Sequence, residues 1–147
     1  MIYIAHRGNI AGPSSEENKI AYLEHAYNQG FGIEVDVQEY NGKLYFGHDE
    51  PQELFKYELV NKPNVFVHLK DRKSAEILGS DSKLNMFSHD ADDYVFTSGG
   101  FIWGLHKVLI PGPKSVFLDF ETPHVYININ ININVPIYGH CGDYYAR

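Results

Sequence analysis

Cysteine is nearly absent from this chain. Cys141 is alone, so no internal disulfide can form, which suits a reducing compartment, and the cytoplasm is the expected location. Positive charge is also scarce. Twelve Lys and Arg face 19 Asp and Glu, for a net charge of -7. A chain this acidic has no general electrostatic reason to seek a phosphate backbone, so nucleic-acid binding is not expected. Apolar runs stay well below the roughly 18 residues of a membrane-spanning helix. The apolar start, residues 1–5, is too short for a secretory leader and runs at once into His6-Arg7. Length is limited as well. The 147 residues make one expected domain, 1–147, whereas a standard (β/α)8 barrel takes about 250.

Histidine and aromatics are what the chain has in quantity: 8 His, 11 Tyr and 9 Phe. Histidine suits proton transfer near neutral pH and metal ligation, and aromatics bury much area in a small core. Residues 2–5 read as a short buried strand. A Gly- and Ser-rich loop follows, in which Ser14 or Ser15 can cap a helix. Ile20, Leu23 and Tyr27 form the clearest helical stripe, ended by Gly30. Residues 31–37 alternate, with Ile33, Val35 and Val37 on one face and Glu34 and Asp36 on the other. Asn41-Gly42 predicts a hairpin back into residues 44–46. Further short strands are expected at 65–69, 84–87, 94–97, 101–103, 108–110, 116–120 and 136–138, with a short helix at 74–78. The Ile–Asn repeat at 127–134 predicts a strand with one Ile face and one Asn face.

Polar pairs recur where these strands end: His6-Arg7, Glu34 with Asp36, His48-Asp49, and His68 with Lys70. Active sites of α/β sheets assemble at that rim. Two carboxylates two apart on a strand lie about 7 Å apart on one side, and a cation is their natural neutraliser. Oxygen ligands suit Mg²⁺, Ca²⁺ or Mn²⁺. Two histidines on separate strand ends can act as base and acid. Arg7 and Lys70 add cationic donors for a phosphate, although Arg7 also has Glu17 as a simple ion-pair partner.

The order His6-Arg7-Gly8, Glu17-Asn18, Gly32-Ile33-Glu34-Val35-Asp36-Val37 and His48-Asp49 resembles the glycerophosphodiester phosphodiesterase family. That family opens with an HRG, an EN at the first helix, a G-x-E-x-D-V strand, and an HD after a DG hairpin, here Asn41-Gly42. The resemblance is dense over residues 2–50, and residues 139–144 are similar to the family's closing motif. It implies a TIM-barrel type of fold, His6 and His48 as the acid–base pair, Glu34 and Asp36 as metal ligands, and Arg7 on the phosphate. The family's third ligand is an acid two residues before a Lys. Here that position is His68, in His68-Leu69-Lys70. Either His68 ligates directly, which makes Zn²⁺ an option, or Asp49 or Asp71 supplies an oxygen, or the site binds without cleaving. A branch of the family with a His there resembles this chain further along as well, which would bring His89, Thr97 and Ser98 near the site.

With 147 residues, the expected fold is α/β, a reduced TIM-like (β/α) barrel that has lost most outer helices after the first. A half-barrel that closes by dimerising is the alternative. Lost helices would bare apolar strand surface, so a homodimer is an expected arrangement. The expected function is a metal-dependent phosphodiesterase that uses one divalent cation and His/His acid–base catalysis on a small glycero- or sugar-phosphodiester. The competing class is a non-catalytic phosphate or sugar-phosphate binding module.

Overall fold

The computed structural model describes residues 1–123 and 135–145. The Ile–Asn repeat at 127–134 lies outside the described residues. In chain order the elements are β1 (Ile2–His6), α1 (Ile20–Asn28), β2 (Gly32–Tyr40), β3 (Lys43–Phe46), β4 (Glu53–Leu54), α2 (Tyr57–Val60), β5 (Val65–Leu69), α3 (Arg72–Leu78), β6 (Asn85–Phe87), β7 (Tyr94–Phe96), β8 (Ile102–His106), β9 (Gly112–Leu118) and β10 (Ile137–Gly142). Among the described residues no helix is long and apolar enough to cross a membrane.

The expected reduced TIM-like (β/α) barrel is overturned. Strand accounts for 38% and helix for 15%, in a curled half-barrel sheet with few helices. The physical reason lies in the connections. Between β8 and β9, which run parallel, only residues 107–111 intervene. A strand of five residues rises about 17 Å, and five extended residues span about the same distance. That link must run straight back along the sheet, with no length left for a helix. Residues 108–110, expected as a strand, belong to this return.

One hydrogen-bonded path runs β4-β3-β2-β1-β10-β9-β8-β7, and β5 joins it through β2 and carries β6. Long β2 serves three neighbours. It pairs β1 at Gly32 to Glu34 and β5 at Ile33 to Val37, both parallel, and β3 at Val37 to Tyr40, antiparallel. The β2–β3 turn is Asn41-Gly42 with φ 50° and 80°, the left-handed pair a tight hairpin turn requires. First and last strands are partners: β1 pairs β10 in parallel.

The period of two in β2 and β5 sorts residues onto two faces. Val35 and Val37, with Val65 and Val67, meet Leu23 and Ala26 of α1, Leu59 of α2 and Leu78 of α3 in one core. On the other face Phe66 joins Ile4, Phe87, Trp103, Val116, Leu118 and Cys141 inside the curl. Glu34, Asp36 and His68 share that inner face, near the ends of their strands.

Helix α1 starts later than the Ser cap predicts. Its N-cap is Lys19, which makes no side-chain cap. The Ile20 amide instead donates to Glu53 Oε2 at 2.6 Å, so β4 caps the helix from a distance. The C-terminus follows expectation. Gly30 has φ 92°, and the Gly30 and Phe31 amides donate back to the Tyr27 and Ala26 carbonyls.

Candidate functional site

Parallel pairing aligns the strand ends that carry the polar pairs. Asp36 of β2 stands opposite His68 of β5, and His6 of β1 opposite Glu34. One ligand atom from each of Glu34, Asp36 and His68 can be chosen so that all lie within 4.8 Å of one another. His68 Nδ1 is 3.2 Å from Asp36 Oδ1 and 3.7 Å from Glu34 Oε1. Asp36 Oδ1 is buried and lacks a hydrogen bond of good geometry. The other Asp36 oxygen accepts from Asn18 Nδ2 at 2.9 Å, while the Asp36 amide donates to Asn18 Oδ1 at 2.9 Å. Asn18 thus grips one side of Asp36 and leaves the other aimed at His68 and Glu34.

Burial pushes the Glu34 carboxyl up to about 7, with the Asp36 charge adding to the effect. Burial pushes Asp36 the same way, but the His68 imidazole 3.2 Å away, the Arg7 charge and the Asn18 hydrogen bond outweigh it and hold that carboxyl below the usual range. The buried pair therefore holds a proton on Glu34 to a higher pH than an ordinary carboxylate does, and a bound cation would displace it. A buried carboxylate oxygen without a hydrogen bond of good geometry, a second carboxylate and an imidazole fit a divalent ion. The other two sources of a third ligand have different work. Asp71 caps α3, accepting from the Ser74 amide at 2.7 Å, and holds the Glu39 amide at 2.9 Å. Asp49 has a side chain 91% exposed and sits on His48.

Both expected acid–base residues line one cleft of about 160 Å³ together with Arg7, Glu34 and His68. His6 Nδ1 bonds Asp143 Oδ1 at 2.9 Å, and its Nε2 is 3.9 Å from Glu34 Oε2. Burial lowers the His6 pKa, but the Asp143 hydrogen bond and the Glu34 charge outweigh it and raise it overall. His48 Nδ1 bonds Asp49 at 2.8 Å, and its Nε2 accepts from Lys70 Nζ at 3.2 Å. A carboxylate on each Nδ1 fixes that nitrogen as the N–H, leaving Nε2 of both rings for chemistry.

No protein-family model matches this chain, and no curated protein or solved structure is significantly similar to it. The rim's own geometry is what bears on its chemistry.

Arg7 adopts φ 53°, in the left-handed region that costs a non-glycine residue about 1–3 kcal/mol. Its side chain lies between carboxylates. Nε is 3.1 Å from Asp36 Oδ2, and Nη1 donates to Glu17 Oε2 at 3.2 Å. Glu17 also accepts from Asn9 Nδ2 at 2.8 Å. Glu17 and Asn18 therefore brace the arginine and the Asp36 carboxylate.

Further along the chain, the structure separates the expected residues. His89 lines the cleft, its Nε2 bonded to the Asp92 carbonyl at 2.7 Å. Thr97 accepts from the Phe101 amide in a turn, and Ser98 ties β6 through the Leu84 carbonyl and the Met86 amide. Sequence reasoning missed Asp143, which holds both His6 and Asn9. Its signal is an acid just past the last buried strand, on the same rim. Phe120 and His106 were missed as well. Phe120 stacks on His6 with centroids 4.0 Å apart and on His106 at 5.0 Å.

Proposed function

We propose that this chain is a metal-dependent phosphodiesterase acting on a small phosphodiester. The observation that carries this reading is the buried Asp36 Oδ1, without a hydrogen bond of good geometry, facing Glu34 and His68 beside two histidines that line one cleft. A divalent ion held by Glu34, Asp36 and His68 would supply positive charge against the negative charge that grows on the phosphoryl oxygens. Two carboxylates and an imidazole suit Mn²⁺ or Zn²⁺ better than Ca²⁺.

The chain's own residues do the rest. Lys70 and Arg7 bind the phosphate, with Lys70 leaving His48 as substrate enters. One imidazole Nε2 takes a proton from the attacking water or from an internal hydroxyl of the substrate. The new P–O bond forms as the P–O bond to the alcohol breaks, and the other imidazole protonates the departing alkoxide. Water attack yields a phosphomonoester and an alcohol. Internal attack yields a cyclic phosphate and an alcohol.

Phosphorus NMR of a diester panel with Mg²⁺, Mn²⁺, Ca²⁺ and Zn²⁺ tests this. Metal-dependent cleavage is expected, lost on chelation and reduced about 10²–10⁴-fold in His6→Ala and in His48→Ala. No turnover with any of the four ions would sink the proposal. A diester with an activated leaving group separates the two roles, because it restores rate to the variant that lacks the acid and not to the one that lacks the base.

A further inference from the structure

Two rows of stacked rings lead away from the polar cluster and line the same cleft. One runs His68, Phe87, Trp103, with centroid separations of 4.8 and 4.6 Å and interplanar angles of 12° and 27°. The other runs His6, Phe120, His106, with separations of 4.0 and 5.0 Å and angles of 20° and 15°. Each row begins on a histidine of the polar cluster. Leu105 and Leu118 complete the apolar lining. The register of β8 against β9 shifts between Trp103 and His106, and this shift brings the chain neighbours Leu105 and His106 to one cleft.

Size and chemistry together define what fits. The whole cleft, its polar end included, is about 160 Å³, close to the roughly 150 Å³ of a cavity that accepts one benzene ring, so the group held in its apolar part can be no larger than one ring. Phe87, Leu105, Leu118 and Phe120 carry no polar side-chain atom. A glycerol or sugar placed against them would leave water without a hydrogen-bond partner for each hydroxyl, which costs binding. At the far end of the second row both ring nitrogens of His106 are buried and lack a hydrogen-bond partner, while His89 Nε2 is already bonded to the Asp92 carbonyl.

We infer that the alcohol group this cleft receives is small and apolar, no larger than one six-membered ring, rather than glycerol or a sugar. This rests on the phosphodiesterase reading for the position of the phosphate, at the polar end beside Lys70, His6 and His48. The bond that breaks is the P–O bond to that apolar alcohol, and the proton goes to its alkoxide.

Trp103 is the sole tryptophan of the chain, so its fluorescence reports ligands in the cleft directly. The wild-type protein is titrated with benzylphosphonate and with glycerol 3-phosphate, two phosphate-class dianions that differ in the attached group. Benzylphosphonate is expected to change the emission saturably with a Kd at least tenfold lower. Equal or reversed affinities overturn the inference whether or not the protein turns over any substrate. In parallel, methyl benzyl phosphate and methyl glyceryl phosphate compare two primary alcohols as leaving groups. A tenfold higher kcat/KM is expected for the benzyl ester, and Leu105→Phe, which fills the slot, is expected to erase most of that preference. Preference for the glyceryl ester overturns the inference and leaves the phosphodiesterase reading standing. Tighter benzylphosphonate binding with no cleavage of any diester has the opposite meaning: the slot stands and the catalytic reading falls.

Discussion

The chain up to Leu78 and the chain beyond it build one rim from different materials. In the first part, β1, β2 and β5 carry one apolar face, with Ala5, Val35, Val37, Val65 and Val67, against the helices, and their polar residues line the site on the other. In the second part β6 to β9 are joined by links of five or six residues, and no helix follows α3 among the described residues. That part contributes Phe87, Trp103, Leu105, Leu118 and Phe120 to the cleft, and Asp143 to hold His6. Groups suited to chemistry come from the helix-backed strands, where rigid support on one face fixes carboxylates and imidazoles on the other. Shape and apolar contact come from the strands without helices, whose large rings pack on one another instead.

Packing should break this comparison most sharply. Leu23 is fully buried between α1 and the sheet, while Leu118 borders the open cleft. Leu23→Ala is expected to cost about 2–5 kcal/mol in urea unfolding. Leu118→Ala is expected at or below the low end of that range, because water from the cleft reaches the gap. Equal losses would show that both parts are packed alike. The next effect crosses between the parts. Asp143→Asn keeps the shape but removes the carboxylate that fixes the His6 N–H. Turnover is expected to fall on the order of 10²-fold or more with little change in KM. A changed KM with unchanged kcat would assign Asp143 to substrate binding.

The smallest effect lies wholly in the helix-backed part. Asp71→Ala removes the α3 cap and the Glu39 tether, at about 0.5–2 kcal/mol by thermal unfolding. Burial pushes the Asp71 carboxyl up, but the hydrogen bonds from Ser74 and Glu39 outweigh it and lower it overall. A lowered carboxyl adds stability above its unfolded value of about 3.9, and that stability is lost as pH falls through the folded value. The gap between wild type and variant should therefore be full at pH 6 and close below about pH 4. A gap constant down to pH 2 would show that the Asp71 charge contributes nothing.

Much of the helix-backed part was legible in the sequence because its signals are local. The alternation of 31–37, the Asn41-Gly42 turn and the Gly30 stop each act within a few residues. The ladders then bring Glu34, Asp36, His68 and His6 together without further specification. The rest depends on distant partners. Ser14 and Ser15 precede α1 but do not cap it, because the Ile20 amide takes Glu53 from another strand. Residues 108–110 are apolar enough for a strand, yet the spacing of β8 and β9 makes them a taut return. Trp103 and Phe120 read as ordinary core aromatics, since only the curl of the sheet places their rings in line with His68 and His6. The α/β barrel expectation failed for the same reason. Motifs report the rim, whereas the outer layer depends on how much chain lies between strands.

The parallel ladder between β1 and β10 has a consequence for how the molecule is made. Ile2 cannot meet Gly139, nor His6 meet Asp143, until almost all of the chain has left the ribosome. At about 5–20 residues per second, the first strand waits roughly 7–30 s for its last neighbour. Contacts this remote in sequence also form slowly, because a long loop must close before any of them is gained. Through that interval β1 has an open flank and His6 lacks the Asp143 carboxylate that fixes its proton, so a nascent chain short of residue 143 has an incomplete rim however well its helices have formed.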